Sequence, residues 1–160
     1  EISGGVVDEM SEIIWAMNPR NDTLDSFTSY IRQHASSYLE SAEIEGVFAF
    51  PAEIPSLHMS SELRRNLFLT VKEAFHNIVK HSGAGKVHMS LFTEKGNLRI
   101  VIEDDGVGFN IEQISGWGNG LTNMHKRIEE LGGSFNIKSG VGSGTTIEFS
   151  VKINPKDNSH

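Results

Sequence analysis

A chain of 160 residues is long enough for one well-buried domain with a short appendage, and an apolar share of 38% is ordinary for a soluble globular protein. The absence of cysteine excludes disulfides, zinc–thiolate sites and thiol nucleophiles, and fits a reducing compartment without requiring one. A formal charge of -7 argues against nucleic acid as a partner, because neutralising phosphate with a basic surface supplies most non-specific affinity.

No apolar run approaches the roughly 20 residues that span a bilayer, and the opening "EISGGVVDEM" has neither the basic nor the apolar region of a secretory leader. The expectation is a soluble, cytoplasmic portion of a longer protein. After Ile2, the residues Val6, Met10, Ile13 and Met17 recur at steps of three and four, the stripe of an amphipathic helix facing a partner. Pro19 cannot donate to a helical ladder and biases Asn18 away from helix, so a break is expected there. Leu24, Phe27, Ile31, Tyr38 and Leu39 then restore a helical stripe as far as Ala42, and a short strand over 47–50 is closed by Pro51 and Pro55.

Ser60 or Ser61 can cap a second helix, with Glu62 suited to its positive start, running to Lys80. Alternation predicts a hairpin of strands 86–93 and 97–103 around Gly96. A glycine-rich segment, 106–120, leads into a helix with Leu121, Met124, Ile128 and Leu131 on one stripe, ended by Gly132 and Gly133. A second hairpin crosses "GVGSG", and "NPKDNSH" is a polar tail. This order divides the chain into a helical segment over 1–43, an α+β two-layer sandwich over 44–153 and a tail over 154–160.

Three places combine polar residues in patterns that could carry chemistry. In "EAFHNIVKH", Glu73 and His76 have the spacing of iron-binding helices, whereas Glu73 and Asn77 lie one helical turn apart. At about 100° per residue, Asn77 falls about 40° from Glu73 and Lys80 about 20° the other way, while Leu67, Phe68, Phe75, Ile78 and Val79 gather opposite. That polar face is either solvated or a place for a hard cation beside phosphate oxygens. In "VIEDDGVGF", an alternating strand runs into Asp104, Gly106 and Gly108, which is either a plain turn or a carboxylate presented to a ligand amine beside close-approach backbone. In "GWGNGL", glycines open a helix and expose backbone N–H groups, an anion site or a flexible loop.

The order and spacing of these boxes, followed by Gly-x-Gly-Thr into the last strand, are specific. From about residue 44 to 153 the chain resembles the GHKL ATPase superfamily, in particular the catalytic and ATP-binding domain of sensor histidine kinases, with its Bergerat-type fold. "EAFHNIVKHSGA" and the short glycine-rich segment before "GLTNMHKRIEELGG" look like the nitrate-sensor and lipid-sensor type. Residues 10–40 look like the second helix of the dimerisation and phosphotransfer domain of such kinases, which packs in a four-helix dimer bundle.

The resemblance implies a set of roles. Asn77 stands where an asparagine coordinates Mg2+ bridging the ATP phosphates, and Glu73 matches the acidic residue that polarises the attacking nucleophile. Lys80 and His81 occupy positions that touch phosphate oxygens. Asp104 matches the aspartate that accepts from the adenine amino group, with Gly106 and Gly108 shaping the base pocket. Gly118, Gly120 and Leu121 match the second glycine box near the phosphates, and Thr145 the threonine that reaches adenine through water. The implied reaction moves the ATP γ-phosphoryl group to a histidine, for relay to the aspartate of a response-regulator receiver domain, in a homodimer built on the N-terminal helix.

One departure matters. The acceptor histidine of such kinases is followed by an acidic residue on the first bundle helix, whereas His34 precedes Ala35 and His125 precedes Lys126. The acceptor is therefore expected upstream of this chain, and ATP binding without self-phosphorylation is expected of the chain alone. Two alternatives share parts of the pattern: a serine kinase of the anti-sigma-factor type, which lacks the appended helix, and a non-catalytic dimerisation module with a decayed pocket.

Overall fold

The computed structural model describes residues 22–108 and 118–153. The stripe expected from Ile2 to Met17, the break at Pro19, most of the glycine-rich segment and the polar tail lie outside the described residues. Three helices and five strands follow in the order α1 (Leu24–Ser41), β1 (Glu45–Ala49), α2 (Ser61–Asn77), β2 (Lys86–Glu94), β3 (Asn97–Asp104), α3 (Gly118–Glu130), β4 (Ser134–Ser139) and β5 (Thr145–Lys152).

The strands form one sheet in the order β1-β2-β3-β5-β4, with β1 parallel to β2 and every other pairing antiparallel. Alternation decides which face is buried: Val87, Met89 and Leu91 point inward from β2, Leu98, Ile100 and Ile102 from β3, and Ile147, Phe149 and Val151 from β5. All three helices cover that face, with Phe27 and Ile31 of α1, Leu67, Phe68 and Phe75 of α2, and Met124 and Ile128 of α3 joining the strand residues in one core. The opposite face carries exposed residues such as His88, Phe92 and Glu103, so the chain is the α+β two-layer sandwich expected from its pattern.

Start and stop signals act as their chemistry dictates. Ser60 Oγ accepts from the Leu63 N–H at 3.1 Å, capping α2, and Glu62 sits in its first turn. α1 ends where Glu43 takes a positive φ of 61° and the Ile44 N–H reaches back to the Leu39 carbonyl at 2.9 Å. The side chain of Arg64 is buried beneath this layer and donates to the Met59 carbonyl at 2.6 Å, tying the 51–60 connection to α2.

Two features differ from the expectations. The core runs across the boundary placed near residue 44: Leu24, Phe27, Ile31, Ala35 and Leu39 of α1 are all buried in the same cluster as the sheet. An amphipathic stripe announces that a helix has a partner, but not which partner. The second helix also does not run evenly to Lys80. Its α-helical part stops at Asn77, and Ile78–Ser82 form a π turn, a local widening often found at functional sites.

Candidate functional site

The C-terminal ends of α2 and β3 lie side by side, and the polar residues singled out above converge there from four elements. α2 carries Glu73, half-buried, and Asn77, buried, one turn apart, and Asn77 Nδ2 is buried without a hydrogen-bond partner. The π turn then carries Lys80, exposed, and His81, half-buried. Because a π turn advances each residue by less than an α turn, the direction computed for Lys80 at α pitch does not apply. His76 is exposed and lies 3.5 Å, through Nδ1, from the Tyr38 hydroxyl of α1.

The strand side is held by backbone hydrogen bonds. Asp104, only 7% exposed, closes β3; its Oδ1 accepts from the Gly106 N–H at 2.8 Å, while Oδ2 is buried without a partner. Burial pushes the Asp104 carboxyl above its usual range, and the Gly106 N–H only partly offsets this. Next to it, Asp105 Oδ1 accepts from the Lys86 and Gly85 N–H groups at 3.1 and 2.9 Å, and these bonds hold its carboxyl below the usual range. The Val107 N–H donates to the Ser82 carbonyl at 2.8 Å and the Val107 carbonyl accepts from the Gly142 N–H at 2.6 Å. The segment after Asp104 is thus stitched to the π turn on one side and to the β4–β5 turn on the other.

Two of these glycines face close neighbours, with different consequences. Gly108 has φ of 68°, and a Cβ there would collide with the Gly140 carbonyl oxygen. Gly120, in the first turn of α3, has Glu73 and Asn77 directly opposite: a Cβ would lie 2.7 Å from Glu73 Oε2 and 3.3 Å from Asn77 Nδ2. Gly118 begins α3, and Leu121 is half-buried against the core. Thr145 opens β5 in register with Asp104, is buried, and places its hydroxyl 2.8 Å from that of Ser139.

The structure therefore brings Glu73, Asn77 and Gly120 together at one end, and Asp104, Gly106, Gly108 and Thr145 at the other. Three contributors escaped the sequence pattern. Ser82 supplies the carbonyl that receives Val107, Asp105 caps the entry to β2, and Ser139 partners Thr145. Asp105 had a readable signal in the Asp-Asp-Gly run, whereas the other two depend on contacts across the fold.

The donor set fits magnesium held largely by substrate. A carboxamide can turn over so that its oxygen, rather than its nitrogen, faces the site, and magnesium takes few protein ligands when phosphates and water supply the rest. Among the described residues no group of three or more His, Cys, Asp or Glu is placed to hold a metal ion. The pairing of Glu73 with His76 therefore lacks the further ligands that an iron site of that type would need among these residues.

Residues 62–155 match the family described as histidine kinase-, DNA gyrase B- and HSP90-like ATPase. The chain is 36% identical over 107 residues to the sensor protein VraS of Staphylococcus epidermidis, covering 67% of this chain and 31% of VraS. It is 35% identical over 105 residues to the sensor histidine kinase LiaS of Bacillus subtilis, covering 66% of this chain and 29% of LiaS. The chain thus spans about 30% of the length of these curated relatives. In fold it is similar to the histidine kinase domain of a blue-light activated histidine kinase from Erythrobacter litoralis EL346, at a TM-score of 0.67 and 20% identity over 82% of this chain and 63% of that one. It is likewise similar to the histidine kinase AdeS of Acinetobacter baumannii, at a TM-score of 0.65 and 16% identity over 96% of this chain and 79% of that one. With the glycine boxes, the α2 polar face and the β3 aspartate in place, the chain belongs to the histidine kinase-, DNA gyrase B- and HSP90-like ATPases.

Proposed function

We propose that this domain binds Mg-ATP across the ends of α2 and β3 and transfers the γ-phosphoryl group to a histidine imidazole upstream of this chain, for relay to a response-regulator aspartate. The observation that carries the reading is a pair of buried side-chain atoms without partners, Asp104 Oδ2 and Asn77 Nδ2, at neighbouring element ends. Leaving a buried polar group unpaired costs about 1–3 kcal/mol, so one such group at each end of the site is what the polar atoms of a ligand lying between them would satisfy. Asp104 would accept from the adenine amino group while the glycine backbone lets the base approach, and Thr145 would reach the base through water. Asn77 would hold magnesium, which neutralises phosphate charge when bound. Lys80 and His81, on the π turn, would supply donors to phosphate oxygens, as would the backbone of Gly118, Gly120 and Leu121.

The transfer needs little covalent help from the protein, since positioning and charge neutralisation dominate phosphoryl transfer. The imidazole nitrogen bearing the lone pair attacks the γ-phosphorus, the bond to the bridging oxygen breaks, and its electron pair leaves on ADP. Glu73 would accept the hydrogen bond of the other ring nitrogen, keep the attacking lone pair available and take up the proton released as the N–P bond forms. In this reading the residues before α1 belong to the dimerisation segment of a homodimer, whereas α1, expected to be part of that segment, packs in the same core as the sheet. Among the described residues no helix is long and apolar enough to cross a membrane. The whole protein is proposed to place this domain in the cytoplasm.

Calorimetric titration of Mg-ATP tests the reading. The wild-type chain should bind, and Asp104→Ala should weaken binding by about 10- to 100-fold, the worth of a hydrogen bond to a charged group. Absent binding, or binding indifferent to Asp104, returns the chain to a non-catalytic dimerisation module. Labelled phosphate should not enter an acid-labile phosphohistidine in this chain alone; such incorporation would show that the acceptor lies within it.

A further inference from the structure

A row of three polar side chains crosses the sheet at the candidate site. Asp104 of β3 stands directly opposite Thr145 of β5, and Thr145 directly opposite Ser139 of β4, an edge strand. Directly opposed residues point to the same face of a sheet, with Cβ atoms about 5 Å apart. Asp104 and Thr145 are buried and Ser139 is half-buried, so the row lies on the helix-covered face with Ser139 at its outer end.

The hydrogen bonds along this row have a direction. A serine or threonine hydroxyl has one proton to give and two lone pairs to accept with. Ser139 Oγ lies 3.1 Å from the Gly144 carbonyl oxygen, which can only accept, so the Ser139 proton is committed there. The 2.8 Å contact between the Ser139 and Thr145 hydroxyls is then filled by the Thr145 proton. The carbonyl that sets this direction is itself held in place, since Gly144 has φ of 73° and a Cβ there would collide with the Asp104 carbonyl oxygen. Thr145 therefore gives its single proton away from Asp104 and keeps only lone pairs for the site. An ionised carboxylate likewise only accepts, and Asp104 Oδ2 is without a partner.

We propose that Ser139 is a specificity-determining residue for the base: by taking the Thr145 proton, it leaves a site that binds an exocyclic amino group and rejects an oxo group in the same place. The 6-amino group of adenine has two protons, one for Asp104 Oδ2 and one for Thr145, directly or across one water. A 6-oxo group has none. Facing two sets of lone pairs, its oxygen stays unpaired, and an unpaired polar group is what lets a hydrogen-bonding site discriminate strongly. Ser139 acts on the base only through Thr145, as a positioning residue. The inference rests on the proposed nucleotide site and adds the residue that sets which bases the site accepts.

The test compares calorimetric Kd values of Mg-ATP and of Mg-inosine triphosphate, which has an oxo group where ATP has the amine. Both nucleotides are titrated into one preparation, so a lower folded fraction cancels from the ratio and a merely structural role does not move it. The wild-type chain should favour ATP. Ser139→Ala should release the Thr145 proton to the oxo group and lower the preference by about three- to tenfold, the worth of one neutral hydrogen bond, mainly through tighter inosine triphosphate binding. Ser139→Thr keeps a hydroxyl and should keep the wild-type ratio. In a Thr145→Val background, where there is no hydroxyl to redirect, Ser139→Ala should change the ratio no further. Four outcomes overturn the inference and leave the proposed function standing: a wild-type chain that binds ATP without preferring it, a ratio unmoved by Ser139→Ala, an equal fall in the Thr145→Val background, or a ratio lost in Ser139→Thr. A wild-type chain that binds neither nucleotide overturns both.

Discussion

The two ends of the site are built by different means. At the end proposed to hold the base, Asp104 is buried, with one oxygen fixed by the Gly106 N–H and the surrounding turn laced to Ser82 and Gly142 by backbone hydrogen bonds. At the end proposed for transfer, Glu73 is half-buried, forms no hydrogen bond or ion pair among the described residues, and meets α3 where Gly120 leaves room. The first end is shaped by main-chain hydrogen bonds. The second depends on side chains from two helices whose approach sets their geometry. Recognition of a flat, invariant base suits the former, and bringing a separate acceptor to a phosphate suits the latter.

If the base end is shaped by main chain, the largest losses should come from small additions there. Gly108→Ala combines positive φ with a collision against the Gly140 carbonyl, and should destabilise the fold by about 3–5 kcal/mol in a urea titration. Gly142→Ala, with φ of 83° but nothing within 4 Å of the added carbon, should cost about 1–2 kcal/mol, the conformational strain alone. Equal effects would mean that the close approach at Gly108 contributes nothing. At the transfer end, Asn77→Asp should weaken Mg-ATP binding by about tenfold or more, because a carboxylate replaces a neutral ligand beside phosphate. It should exceed His76→Ala in that measurement, and the reverse order would return the histidine to the metal site.

Gly120→Ala should be milder, since the group in its way is the end of a flexible carboxylate side chain. A drop of roughly three- to tenfold in transfer by the full sensor, with a smaller change in ATP affinity, is the expected outcome. Parallel losses in both would mean that Glu73 also serves nucleotide binding. The smallest effect concerns the cost of keeping Asp104 buried. Its folded-state pKa is raised by desolvation, so its contribution to stability is fully present below the unfolded value of 3.8 and is lost as pH rises through the folded value. Asp104→Asn should accordingly raise the nucleotide-free melting temperature at neutral pH by a few degrees, about 1 kcal/mol, and the gain should shrink as pH falls. A variant less stable than wild type at neutral pH would mean that the carboxylate is paid for within the apo fold.

Much of the architecture could be read from local pattern. The alternation over 86–93 and 97–103 marked β2 and β3 as a hairpin, Ser60 and Glu62 marked the start of α2, and helical spacing put Glu73 and Asn77 on neighbouring positions of one face. These features are legible because they rest on the period of a strand or helix and on the chemistry of a single cap. The glycine boxes were visible for a similar reason, since few residue types tolerate such backbone.

What lay beyond reach was everything that depends on which elements meet. The stripe of α1 was placed in a separate helical segment, yet it buries Leu24, Phe27 and Ile31 in the core of the catalytic domain, because an amphipathic face does not name its partner. The π turn at Ile78–Ser82 altered the direction of Lys80 without a residue that announces it. The orphan oxygen of Asp104 and the closeness of Gly120 to Glu73 arise from segments far apart in the chain. Periodicity is a property of neighbours along the backbone, and it specifies the elements and the residues on their faces. Burial, desolvation and close approach are properties of neighbours in space, and they select which of those residues are brought together at the candidate site.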